Sequence, residues 1–237
     1  MAPEKQVLAS VIQSKVEFSF MGRLYGILLL RYAAFTMNHE KALKRLREGN
    51  QRFVAGEASV DTFSCPSRRK LLAEMQSPFA VILGCADSRV PAEIVFDQGH
   101  GDLFVVRVAG NIAAPSQVGS IEYAVKHLGT RLVVVLGHTG CGAVAATMDG
   151  LGDPVTGEPT ALNSIVDRIR PAFDGLDAVS DANPRESVLA EGVRANIQRS
   201  VELLREQSPS LTQYLSSGDL LVVGAEYSLE TGGVIFL

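Results

Sequence analysis

The chain has 237 residues, 46% of them hydrophobic and 20% charged, which is enough apolar material for one substantial core. A formal net charge of -4, spread over interspersed acids and bases without a basic run, argues against a surface that tracks a phosphate backbone, so no nucleic-acid partner is expected. Three cysteines do not make a disulfide framework in a chain of this length, and reduced thiols point to a cytoplasmic compartment.

Residues 1–36 read as an N-terminal extension, helical or of uncertain structure, to a domain spanning 37–237. Arg23 and Arg31 interrupt the apolar stretch from Phe18 to Phe35. A membrane span needs about 20 apolar residues, and a central Arg costs about 2.5 to 3.5 kcal/mol, so no membrane partner is expected. Glu4 and Glu17 sit where a signal peptide would be basic. A helix packed on the domain or on a second subunit is the leading reading. Upstream sequence before a start at Met37, or a targeting or membrane-surface segment, are the alternatives.

From Met37 onward the pattern is regular. Asn38 can cap a helix whose Glu40 suits the N-terminal dipole and whose Ala42, Leu43 and Leu46 share a face, ending near Gly49. Phe79 to Gly84, Leu103 to Val108 and Arg131 to Gly137 are short apolar runs of the kind that form parallel strands covered on both faces. Between the last two, Val118, Ile121, Tyr123, Ala124, Val125 and Leu128 have the spacing of an amphipathic helix. Glycines and prolines mark a loop from Asp149 to Pro159, and two helical patterns follow, over Leu162 to Ile169 and Val188 to Leu204. Strands at Leu220 to Ala225 and Val234 to Leu237 flank a turn at Glu230 to Gly233. The fold class is α/β: a mostly parallel central sheet with flanking helices and a C-terminal edge strand, in a Rossmann-like three-layer architecture.

Chemistry concentrates where strands end, as it does in open α/β sheets. Cys85-Ala86-Asp87-Ser88-Arg89-Val90 follows the first strand, and His138-Thr139-Gly140-Cys141-Gly142 follows the third. Two thiolates and one imidazole leave a tetrahedral Zn²⁺ with an open position, to be filled by water or by Asp87. Gly140 and Gly142 let the turn bring His138 and Cys141 onto one ion, and a helix beginning after Cys141 favours its thiolate. Asp87 and Arg89, two apart, can pair and fix each other. A lone buried Cys is most often a small hydrophobe and a lone His a hydrogen-bonded core residue. The joint pattern, with an Asp and an Arg that a core would not bury unpaired, favours a catalytic metal site. His39, His100, His127 and Cys65 read as ordinary residues, although His100 or His127 could relay protons.

On these motifs the sequence from Asn38 to Leu237 resembles the beta-class carbonic anhydrases. The resemblance implies one zinc per chain on Cys85, His138 and Cys141, with Asp87 and Arg89 as a catalytic dyad whose carboxylate either pairs with the guanidinium or swings to the metal. It also implies a dimer or higher homo-oligomer, since the family's sites lie at a dimer interface. Gln76, Phe104 and Tyr123 fall where plant-like members place substrate-binding residues, and Val90 and Gly142 complete the implied pocket. Ile82 occupies the position at which bicarbonate-regulated members usually carry tryptophan, and the chain has no Trp at all, although Arg107 matches an arginine of their motif. Ala109 departs from the larger aliphatic residue of plant-like members.

The expected reaction is reversible hydration of carbon dioxide to bicarbonate and a proton. Zinc lowers the pKa of bound water to about 7, a value quoted for carbonic anhydrase itself with a three-histidine site. The resulting hydroxide attacks CO₂ held against Phe104, Tyr123 and Val90, with Gln76 donating to a substrate oxygen and Asp87 orienting the nucleophile. Hydrolysis of carbon disulfide or carbonyl sulfide at a related site is the enzymatic alternative. A non-catalytic zinc protein of the same fold is the other, and the intact dyad argues against it.

Overall fold

In a computed structural model that describes residues 37–58, 66–150 and 161–237, five strands form one sheet in the order β2-β1-β3-β4-β5. β1 (Ala80–Gly84), β2 (Leu103–Arg107), β3 (Leu132–His138) and β4 (Leu221–Tyr227) are parallel, and β5 (Val234–Phe236) closes one edge antiparallel to β4. The expectations for residues 1–36, for Cys65 and for most of the Asp149 to Pro159 loop lie outside the described residues.

Period-two alternation divides each central strand between two apolar layers. Val81 and Leu83 of β1 and Val133 and Val135 of β3 face α4 (Pro115–His127), α5 (Gly142–Met148), α6 (Asn163–Ile169), α7 (Arg185–Glu206) and α8 (Pro209–Ser216). Ala80, Ile82, Leu132, Val134 and Leu136 face the opposite layer, built on α1 (His39–Val54) and the short α3 (Ala92–Val95). A further helix, α2 (Pro66–Leu72), precedes β1. This is the expected three-layer α/β architecture with its C-terminal edge strand.

Three expectations need correction. The first helix does not end near Gly49 but continues to Val54, because Gly49 serves as a contact rather than a stop: a β-carbon there would run into the Phe96 carbonyl oxygen. Asn38 does cap this helix, its Oδ1 accepting from the Lys41 amide at 3.0 Å. Secondly, the Leu103 strand is not covered like its neighbours. It is the sheet edge, and Leu103 to Val106 stay only partly buried. Thirdly, the structure has helices at α2, α3 and α8, where the sequence reading placed none.

Candidate metal centre

β1 and β3 are adjacent and parallel, so the residues that follow them emerge side by side. Cys85 continues the inward alternation of Val81 and Leu83 and is buried; His138 ends β3 and is fully buried; Cys141 is buried at the N-cap of α5. The turn between His138 and Cys141 is closed by Gly140 at φ 63°, a conformation that glycine adopts without a Cβ penalty. One ligand atom from each of Cys85, His138 and Cys141 lies within 4.8 Å of the others. The two sulfurs are 4.0 Å apart. With Zn–S bonds of about 2.3 Å, a tetrahedral angle puts two sulfurs about 3.8 Å apart, so the pair needs only a small adjustment to share an ion.

His138 supplies the observation that tests this fit. Its Nδ1 is 3.0 Å from the Thr139 carbonyl oxygen, an arrangement that places the ring proton on Nδ1 and the lone pair on Nε2. Nε2 is buried and has no hydrogen-bond partner. A buried polar atom left unmatched costs about 1 to 3 kcal/mol, and a metal ion relieves that cost directly. The donor set of two sulfurs and one nitrogen therefore fits zinc.

Cys85 is poised as a thiolate. Its sulfur accepts from the amides of Asp87 at 3.4 Å and Gly110 at 3.3 Å. Its pKa is lowered, chiefly because the Cys141 thiol donates to it, while Cys141, as donor in the same contact and itself buried, is pushed up.

Asp87 and Arg89 form a two-pronged pair: Nε donates to Oδ1 at 2.9 Å and Nη2 to Oδ2 at 2.6 Å, while the Arg89 amide also donates to Oδ1 at 2.9 Å. Those side-chain bonds hold the Asp87 carboxyl well below the usual carboxylate range. Asp87 Oδ2 still lies only 3.8 Å from His138 Nε2, beside the thiol and imidazole cluster rather than within it.

Of the remaining sequence-derived positions, Gly142 directly follows Cys141 and Phe104 packs against the core cluster that holds Cys85 and Cys141. Val90 is 2% exposed and packs with Ala92, Val95 and Phe96 in the opposite layer. Phe104 and Tyr123 pack together with ring centroids 6.4 Å apart, and Tyr123 is half-exposed next to His127. Gly142 is exposed at the start of α5. Gln76 is exposed and lines a cavity of about 460 Å³ with Leu72, Glu74, Met75, His100 and Gly101, to which none of the three metal-type ligands contributes. Thr139 and Gly110, which orient His138 and Cys85, escaped sequence reasoning because they act through backbone atoms. Any residue type supplies such atoms, so no side-chain signature marks them.

A sheet whose neighbouring strand ends deliver two thiols and an imidazole, with a clamped carboxylate alongside, is an open α/β fold with a cluster able to hold a metal ion at its strand ends. Residues 80–234 match the carbonic anhydrase family model. Carbonic anhydrase 2 of Mycobacterium tuberculosis is 40% identical over 203 residues, 84% of this chain and 92% of the relative. The carbonic anhydrase of Mycolicibacterium smegmatis is 40% identical over 204 residues, covering 83% and 92%. Among solved structures, a Coccomyxa beta-carbonic anhydrase in complex with acetazolamide aligns with a TM-score of 0.65 at 27% identity, over 80% of this chain and 83% of that one. A tetrameric beta-carbonic anhydrase of Sordaria macrospora aligns at 0.63 and 27%, over 73% and 86%. The chain belongs to the beta-class carbonic anhydrases.

Proposed function

We propose that residues 37–237 form a catalytic domain that hydrates carbon dioxide reversibly to bicarbonate and a proton at one zinc ion held by Cys85, His138 and Cys141. The observation that carries this reading is the buried, unpartnered Nε2 of His138, facing two thiols with a clamped carboxylate beside them. Zinc held there would supply Lewis acidity that activates water at neutral pH.

The chain's own residues do the rest. Asp87 accepts a hydrogen bond from the reacting water, and Arg89 keeps that carboxylate ionised and turned away from the ligand cluster. Phe104 and Tyr123 offer an apolar wall for CO₂, Val90 adds an apolar residue next to the dyad, Gly142 leaves room at the start of α5, and Gln76 donates to a substrate oxygen. Because Gln76 and the metal-type ligands contribute to different places within one chain, we read the working unit as a homodimer or larger homo-oligomer in which a second copy completes the pocket. The half-exposed Tyr123 and the open edge at β2 support that reading. The plant-like subtype is favoured, since Ile82 stands where a regulatory tryptophan would be.

A reducing, cytoplasmic setting suits the two free thiols, and no helix among the described residues is long and apolar enough to cross a membrane. A CO₂ hydration assay with zinc analysis tests the proposal. Wild-type protein should carry about one zinc per chain and be active, whereas Cys141→Ser should lose most of its zinc and its activity. Full zinc retention by Cys141→Ser would remove Cys141 from the ligand set. A fully active monomer in sedimentation at assay concentration would contradict the shared pocket.

A further inference from the structure

Arg107 is the last residue of β2 and lies in register with Gly84, the residue immediately before Cys85. Its Nε donates to the Cys85 carbonyl at 2.9 Å and its Nη2 to the Asp87 carbonyl at 2.6 Å. One planar guanidinium thus spans both ends of the turn that carries a metal-type ligand and the dyad carboxylate, a geometry a lysine ammonium cannot reproduce. The same turn is stitched to the end of β2 by the backbone: Val108 N–H donates to the Gly84 carbonyl at 3.1 Å and Ala86 N–H to the Val108 carbonyl at 3.2 Å. With both carbonyls held outward, the Asp87 amide faces the Cys85 sulfur and the Asp87 side chain faces Arg89.

We propose that Arg107 is a positioning residue for the reaction, a clamp that sets the Cys85–Asp87 turn so that thiolate and carboxylate are presented together and Asp87 stays with Arg89. This rests on the carbonic anhydrase reading, and it assigns the arginine to the reaction itself rather than to an anion-binding role. Arg107 is exposed, so shortening it leaves the core intact.

The test compares wild type, Arg107→Ala and Arg107→Lys for steady-state CO₂ hydration, zinc content, the absorption spectrum of the cobalt-substituted protein, and amide deuterium exchange at Ala86 and Asp87. For Arg107→Ala, kcat should fall by about 10- to 100-fold, as for other residues that orient metal ligands, with KM little changed and zinc near one per chain. The cobalt bands should change shape, and exchange at the two amides should accelerate at least ten-fold. Arg107→Lys, which keeps the charge and one donor, should recover part of kcat; if the alanine variant does not fold, the lysine variant carries the same comparison. Wild-type kcat, cobalt spectrum and amide protection in both variants would overturn the clamp. An inactive wild type would sink the proposed function instead, and the clamp would then stand or fall on the amide exchange alone.

Discussion

On the ring of His138 the two nitrogens have different surroundings, one committed to the Thr139 carbonyl and the other buried without a partner, and the dyad beside it is similarly divided. Asp87 spends both carboxylate oxygens on Arg89 while standing 3.8 Å from His138 Nε2. Arg89→Ala should therefore free the carboxylate to enter the ligand cluster and exclude water: zinc stays near one per chain while CO₂ hydration falls by about 100-fold or more. Cobalt-substituted protein would then show a spectrum of four protein ligands. Wild-type turnover in Arg89→Ala across neutral pH would end the gatekeeping role. The thiol pair makes a separate prediction. With Cys85 lowered and Cys141 raised, the pair gives up its first proton more readily than its second. Loading zinc at pH 8 should displace about one proton per chain from the pair, measurable in a pH-stat, whereas release of about two would show that both were thiols. The ligands and the dyad were legible because their side chains carry the chemistry and directly follow recognisable strands. Arg107 stood out only by resemblance: its partners are carbonyl oxygens, and only the register of β2 against β1 shows that it reaches them.

Element by element, the strands were legible to within a residue or two, because short apolar runs between turn residues have few other readings. The first helix was misjudged at Gly49 for a physical reason. Glycine ends helices when the backbone needs a positive φ, and Gly56, at φ 72°, shows that geometry just beyond α1. Gly49 is inside the helix instead, where the missing side chain admits the Phe96 backbone. Substituting alanine at the two sites should separate these uses. At Gly49 the helix-propensity gain of about 1 kcal/mol opposes an overlap with backbone that cannot swing aside, so a net loss of at least about 2 kcal/mol is expected. At Gly56 nothing lies within 4 Å of the added carbon, and only the left-handed strain of about 1 to 2 kcal/mol remains. Urea unfolding of both variants decides the matter; a Gly49→Ala protein at least as stable as wild type would mean that the α1 contact with Phe96 yields without cost.

Across the whole molecule, the residues that deliver the site are separated in sequence and joined by a few buried polar side chains that no periodicity reveals. Asn196 of α7 donates to the Gly110 carbonyl at 2.7 Å, tying the distant helix to the glycine whose amide meets the Cys85 sulfur. Thr139 accepts from the Leu229 amide at 3.1 Å, so the turn between β4 and β5 supports the residue that orients His138. Asn50 in turn anchors that hairpin to α1: its Nδ2 donates to the carbonyls of Gly232 at 2.8 Å and Val95 at 3.1 Å, and its Oδ1 accepts from the Val234 amide at 2.9 Å. Asn50→Ala would strand three backbone groups, at about 1 to 3 kcal/mol for each that water fails to reach, so a stability loss of at least about 2 kcal/mol is expected. Asn50→Asp should lose much of the same, because a carboxylate cannot donate to either carbonyl. The ligand cluster lies on the other side of Thr139 and contains no atom of Asn50, so both variants should still bind about one zinc per chain under conditions where they are folded. The pattern is thus the converse of that expected for Arg107→Ala, with stability lost and the metal site kept. Loss of zinc from folded Asn50→Ala would show that the hairpin governs the ligand turn, and that the two ends of the chain are coupled through Thr139 more tightly than these contacts require.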